Sequence, residues 1–393
     1  LHSLVLAINT SSVALASCWF HGVAVLGIIR RYGDTDFITG LRAIASMMVI
    51  AVHTGAFNDL GSIGTQMSSA GKFGVQVFLV ISGFTIASTF LARQDYVEFI
   101  IRRLFRILPL YFFMLSLSIA MIAFGLVATP YWMERFGSQP NSYNYIMHLT
   151  LLSPFDYTVA NSLLNVEWSI PVEVWWYVAL PFLITRASNP RTIAITLAGL
   201  LALSGFTRGI FGVLDLSHAA KWFPTTYGAY FLLGLVSYHL RKIIDQTSAQ
   251  KRLKLYTIGW LLFASAIIFD TGIQSVLIGV GTMLIIGYRS GTAVSRSPLE
   301  SSLFLFLGSI SFSVYLWHMV VIWSLEKFQI YEILDYSFLR FLVVTAITVA
   351  LSTLTYRLVE APSNSLGRVI ASRSRLRLQS NVFASTNDDC RAN

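Results

Sequence analysis

Apolar residues fill this chain in long blocks separated by short polar breaks. Ten blocks can be drawn, at 41–57, 73–92, 103–128, 168–186, 192–212, 224–240, 255–270, 273–288, 303–325 and 338–358. Their lengths suit helices that cross a bilayer, for which roughly 17–25 residues are needed. The pattern predicts an all-α fold: a polytopic transmembrane helical bundle of about ten spans. Two stretches break the rhythm. Residues 143–155 are apolar but too short to span, which predicts a re-entrant or interfacial piece buried against protein on the outer side. Residues 3–29 are long enough, yet they contain Asn9, Cys18 and His21, and no Lys or Arg precedes them. A signal peptide is thereby disfavoured. An extra helix with its N-terminus outside and a mis-set start of translation are equal readings, and no function is placed there. The chain accordingly divides into a hydrophobic N-terminal extension (1–37), a membrane domain (38–367) and a basic tail (368–393). That tail is expected to be disordered and cytoplasmic.

Composition agrees with the pattern. Of 393 residues, 55% are hydrophobic and 12% charged, with a mean hydropathy of +0.65. Soluble domains carry roughly 25% charged residues, and no long polar region is left for one. The net charge of +9 is topological. Arg93, Arg102, Arg103 and Arg106 surround the second loop. Arg186 and Arg191 flank the fourth, and Arg241, Lys242, Lys251, Arg252 and Lys254 fill the sixth. Arg289 and Arg296 occupy the eighth, and the tail adds Arg368, Arg373, Arg375 and Arg377. All fall on one side, which is cytoplasmic by the positive-inside rule. The opposite loops are polar or acidic, as at Glu326, Glu332 and Asp335. Neither zinc-finger spacing nor a long basic helix points to nucleic acid. Cys18 and Cys390 lie at opposite ends and form no metal motif.

Within this apolar background, ionisable residues stand out. Arg42 and His53 are eleven residues apart on one predicted helix. That is about three turns, so they share a stripe and are separated by roughly 16 Å. A neutral imidazole inside a bilayer can take a proton from a hydroxyl or accept the acyl group transiently, or it can pack against a neighbouring helix. Arg42 can anchor topology or hold a phosphate or thioester carbonyl. Arg103 and Arg106 project from one face and suit a polyphosphate, though taken alone they read better as positive-inside anchors. Glu173 follows Pro171 into the fourth block, where it can orient His53, bind an acceptor hydroxyl or pair with an arginine. Ser82 and Gly83 form a small pair that permits close helix packing or lines a passage for a thin acyl arm. Trp168, Ser169, Tyr315 and His318 are candidates on the substrate side. His318 can act as a second acid or base, or pack at the interface beside Trp317.

Taken in order, these blocks resemble the membrane-bound acyltransferase family 3, which includes bacterial O-antigen and nodulation-factor O-acetyltransferases. Gly40-Leu-Arg42 through His53 is similar to the family's Arg-x10-His opening. Gly74 to Phe84 is similar to its second-span block, and Arg103-x-x-Arg106 to its Arg-x-x-Arg element. Trp168-Ser169-Ile-Pro-Val-Glu173 resembles its Trp-Ser-Leu-Ser-Val-Glu block. Ser311, Tyr315, Leu316, Trp317 and His318 match a late block, and Glu360-Ala-Pro362 the closing Glu-x-Pro. Pro171 and Val174 depart from the pattern, at positions where Ser and a second Glu are common. The resemblance covers about residues 38–367. It implies ten spans in a bacterial inner membrane, with a cytoplasmic C-terminus. It also implies an acyl-CoA donor, usually acetyl-CoA, a glycan or glycolipid acceptor and no metal. Arg103 and Arg106 would hold phosphates, the acyl arm would pass Ser82 and Gly83, and His53, with Arg42 and Glu173, would carry the transfer. The competing expectation is a transporter or flippase of a glycan precursor.

Overall fold

The computed structural model describes residues 35–289 and 297–374, and every regular element among them is a helix. The expected N-terminal extension up to residue 34, Arg296, Arg375, Arg377, Cys18 and Cys390 lie outside the described residues. Nine of the ten apolar blocks coincide with one principal helix each: α1 (Asp36–Thr54), α3 (Gly74–Arg93), α4 (Tyr96–Ala123), α7 (Ser169–Arg186), α8 (Pro190–Val213), α10 (Gly228–Lys242), α11 (Ala249–Ile268), α12 (Gln274–Tyr288) and α16 (Ser337–Thr355). Short helices fill connections between them: α2 (Gly61–Ala70), α5 (Tyr131–Phe136), α6 (Ser142–Leu149), α9 (Ser217–Trp222) and α15 (Ile330–Ile333). The apolar stretch 143–155 is thus α6 followed by a 3-10 turn, Ser153–Phe155.

The tenth block differs from expectation. Residues 303–325 form two helices, α13 (Ser302–Ser309) and α14 (Ser311–Lys327), that meet at 70°. The break follows a Gly308-Ser309 pair, a combination that kinks helices. Ser309 Oγ donates to the Phe306 carbonyl (2.7 Å) and Ser311 Oγ to that of Gly308 (2.8 Å). These hydroxyls bond back three residues and compete with continuation of the helix. The first residues of the expected tail, 368–374, are helical. After α16 the chain passes through a π-helical turn, Tyr356–Glu360, and stays helical to residue 374.

Among the described residues, five stretches are long and apolar enough to cross a membrane, or six if the bent pair counts as one. They are α1, Asn58–Arg93, α4, α8 and Ser337–Ser374. The other expected spans are shorter or more polar. α10 and α12 have 15 residues each. α11 opens with Lys251, Arg252 and Lys254, and α7 carries Glu173, Arg186 and two prolines.

α1 is the hub. It packs against α3, α13, α14 and α16, and Leu41, Ala43, Ala45 and Ile50 are fully buried. α3 lies against α10 at backbone distance. A Cβ on Gly83 would fall 2.0 Å from the Phe231 carbonyl oxygen, and one on Gly234 would fall 2.2 Å from that of Val80. Only residues without a Cβ permit such contact, the usual basis of tight packing in lipid. α4 starts from an N-cap in which Asp95 accepts from the Glu98 backbone N–H (2.9 Å). Its 28 residues extend about 42 Å, longer than a hydrocarbon core of about 30 Å. Its arginine-bearing first turns therefore have room to sit at the polar boundary.

Candidate active site

A cavity with about 650 Å³ of empty volume opens between α1, α3, α4, α7 and α14. Its polar wall is made by Arg42, Ser82, Arg103, Arg106, Ser169, Glu173 and Tyr315. Glu173 anchors this wall. Its Oε1 accepts from the Ser82 hydroxyl and from the Tyr177 hydroxyl (2.7 Å), one turn along α7. Arg103 donates to the Thr85 carbonyl and the Thr89 hydroxyl, both at 3.0 Å. Its guanidinium lies 5.6 Å from the ring centres of both Phe99 and Tyr177, a setting that suits a weakly hydrated planar cation. Glu360, buried in the π-helical turn, accepts from Ser313 (2.9 Å).

Arg103 and Arg106 also line a second cavity, of about 1010 Å³ empty volume. Arg93, Arg102 and Arg368 join them there, against Asp95 and Glu98. Five arginines facing two acids leave an excess of positive charge. Glu98 is shared by Arg93 and Arg102, the latter at 2.8 Å. The two cavities therefore adjoin across one arginine pair, with the more cationic chamber at the end of the bundle where basic loops gather. Together they can accept an elongated anion whose apolar end reaches Glu173 and Tyr315.

α1 and α14 run side by side and are joined by two rungs. At the inner rung Arg42 Nε donates to Ser311 Oγ (3.1 Å). At the outer rung His53 Nδ1 lies 3.2 Å from His318 Nε2, with ring centres 5.1 Å apart. The rungs are eleven residues apart on α1 and seven on α14, roughly 16 and 10 Å of helix. The length of the arginine side chain accommodates the difference. Tyr315 stands between chamber and histidines. It lines the cavity, and its ring centre is 6.0 Å from that of His318. Its hydroxyl donates to the Val166 carbonyl (2.7 Å) and pairs with Ser169 Oγ (2.8 Å). Glu167 shapes the turn that presents Val166, accepting from the Leu163 (2.6 Å) and Val166 (3.0 Å) backbone N–H groups. Burial pushes its carboxyl up to about 7, against those donors, which favour the anion.

The sequence candidates thus separate into groups. Arg42, Ser82, Arg103, Arg106, Ser169, Glu173 and Tyr315 meet around one cavity. His53 and His318 form a couple one helical turn beyond Tyr315. His53 bonds to Val49 and His318, whereas the bonds of Glu173 go to Ser82 and Tyr177. The expected alignment of His53 by Glu173 is therefore not made through a direct hydrogen bond. Gly83 faces Phe231 rather than the cavity, so its place is helix packing. Trp168 packs on Tyr227, with ring centres 5.0 Å apart. Sequence reasoning passed over Thr85, Tyr177 and Ser311 as site residues. Thr85 and Tyr177 were within reach, being three and four residues from Ser82 and Glu173 on the same helix faces. Nothing in the chain pairs Ser311 with Arg42 across 269 positions. Among the described residues, no group of three or more His, Cys, Asp or Glu side chains converges as metal ligands do.

Comparison with known proteins places this geometry in context. Residues 35–357 match the family described as "Acyltransferase domain". The O-acetyltransferase OatA of Staphylococcus aureus is 25% identical over 360 residues, 84% of this chain and 57% of that protein. The peptidoglycan O-acetyltransferase OatA of Listeria monocytogenes is 24% identical over 368 residues, 86% of this chain and 57% of that protein. A protein of Acidianus two-tailed virus with a provisional acetyltransferase name is 24% identical over 291 residues, 72% of this chain and 82% of its own length. The chain thus spans little more than half the length of the two bacterial relatives. No solved structure matches.

Proposed function

We propose that this chain, which belongs to the acyltransferase family matched over residues 35–357, moves an acetyl group from acetyl-CoA to a hydroxyl of a surface or exported glycan. The names of the bacterial relatives support O-acetyl transfer, and that of the Listeria protein supports a cell-wall glycan as acceptor class. The observation that carries the reading is the pair of adjoining cavities sharing Arg103 and Arg106. The larger, arginine-rich chamber suits a nucleotide with several phosphates. The cavity lined by Glu173 and Tyr315 suits the thin thioester arm, with Ser82 along its wall.

In this reading the protein is a multi-pass protein of a bacterial inner membrane, with about ten crossings and a cytoplasmic C-terminus. The basic loops on one side support that orientation. The donor enters from the cytoplasm and its thioester reaches the level of Glu173 and Tyr315. His53 acts as general base and takes the proton of the acceptor hydroxyl. The acceptor oxygen bonds to the acyl carbon, the carbon–sulfur bond breaks, and the leaving thiolate receives the proton. Arg42 and Glu173 hold the thioester end and acceptor in register.

The test is incubation of membranes containing the full chain with acetyl-labelled acetyl-CoA and the host's glycan fraction. Alkali-labile label on the glycan, absent from membranes without the chain, is the expected result. Movement of glycan across the membrane with no consumption of acetyl-CoA would instead identify a transporter.

A further inference from the structure

The tautomers of the histidine couple follow from its acceptors. Backbone carbonyls only accept, so the Val49 carbonyl, 2.8 Å from His53 Nδ1, places a proton on that nitrogen. The Val314 carbonyl, 3.3 Å from His318 Nδ1, does the same for the second ring. His318 Nε2 then carries a lone pair, and it points at His53 Nδ1 from 3.2 Å. The series runs from the Val314 carbonyl through both rings and ends on the lone pair of His53 Nε2.

We propose that His318 is a positioning residue that acts through His53. Its Nε2 shares the His53 Nδ1 proton with the Val49 carbonyl. This holds the His53 ring with its basic nitrogen, Nε2, free for the acceptor hydroxyl, and it supports the imidazolium formed when that proton arrives. The proposal rests on the reading of His53 as the base. His318 is fully buried in α14, and this explains the choice of residue. A neutral imidazole accepts a hydrogen bond without carrying a permanent charge into the apolar layer, where a carboxylate would be costly. The nearby carboxylate, Glu173, is engaged by Ser82 and Tyr177. The sequence places the couple 265 positions apart, and the parallel packing of α1 and α14 brings it together.

The experiment compares His53→Ala, His318→Leu, His318→Gln and the double variant His53→Ala/His318→Leu. Full chains in membranes are assayed for acetyl transfer at varied acetyl-CoA, with protein amount normalised. His318→Leu should lower kcat by roughly 10²-fold, the lower end of what a positioned base supplies, with KM for acetyl-CoA unchanged. His318→Gln keeps an acceptor near the Nε2 position and should recover part of that loss. The double variant should be no slower than His53→Ala alone, because both changes remove one function. Normal kcat in His318→Leu beside an inactive His53→Ala would overturn the positioning role and leave the base assignment standing. Equal losses in Leu and Gln, or an effect confined to KM, would overturn it too. Normal transfer by His53→Ala would overturn the base assignment itself.

Discussion

The two ends of α1 meet opposite chemistry. At the Arg42 end the site is built from permanent charges: Arg42 shares its cavity with Arg103, Arg106 and Glu173, and the arginine pair also lines the larger cavity with Arg93, Arg102, Arg368, Asp95 and Glu98. Around His53 it is built from groups without a permanent charge: a second imidazole, two backbone carbonyls and the Tyr315 hydroxyl. The difference reflects where each end sits. Arg93 and Arg102 keep 47% and 30% of their side chains exposed and cost little, whereas Arg103 is buried and held by Thr85, Thr89 and two aromatic rings. A group deeper in the bundle must be satisfied by hydrogen bonds, and it can be charged only transiently. Under the proposed function, binding and chemistry fall at opposite ends of one helix, with Tyr315 between them.

Separate mutations should uncouple these ends. The largest effect is expected at His53. His53→Ala should reduce acetyl transfer by roughly 10²–10⁴-fold, the contribution of a general base, while labelled acetyl-CoA still binds. Next is the arginine pair. Arg106→Ala should raise KM for acetyl-CoA by roughly 10- to 100-fold, since a hydrogen bond to a charged group contributes about 1.5–3 kcal/mol. Its kcat should stay close to wild type. A change in kcat alone would move Arg106 from donor binding to chemistry. A smaller effect, on stability rather than turnover, is expected at Gly83. Gly83→Ala drives a methyl into the Phe231 carbonyl and should cost about 1–3 kcal/mol, read as a lower thermal midpoint in detergent. A loss of donor affinity at unchanged midpoint would return Gly83 to the acyl passage. Least affected should be Arg93→Ala. Its side chain is 47% exposed, and Glu98 keeps Arg102 as partner, so stability should change by less than about 1 kcal/mol.

The same division explains what the chain reveals before folding. The inner end was largely legible, because charge in an apolar sequence is conspicuous and i, i+3 spacing places Arg103 and Arg106 on one face. Helix positions were legible for the same reason: apolar blocks have a minimum length in a bilayer, and nine of them each overlap one principal helix, with ends displaced by as much as 7 residues, as at Tyr96–Ala123 against 103–128. The outer end was less legible. His53 and His318 were each visible as intramembrane titratable groups, but their contact depends on the packing of α1 on α14. The bend at Ile310 was hidden because the Gly308-Ser309 pair before it lies inside an otherwise continuous apolar block, and only the fold shows its serines bonding back onto the chain. The role of Gly83 was ambiguous, since a small residue permits either a passage or a close helix contact. Only the position of Phe231 decides between them.

The account turns on donor binding and catalysis being separable along α1. The most direct measurement pairs equilibrium binding of labelled acetyl-CoA with acetyl transfer in the same membranes, for wild type, His53→Ala and Arg106→Ala. The account predicts wild-type binding without transfer in His53→Ala, and weakened binding in Arg106→Ala with transfer restored at high donor concentration. Loss of binding in His53→Ala, or undiminished transfer by it, would contradict the account.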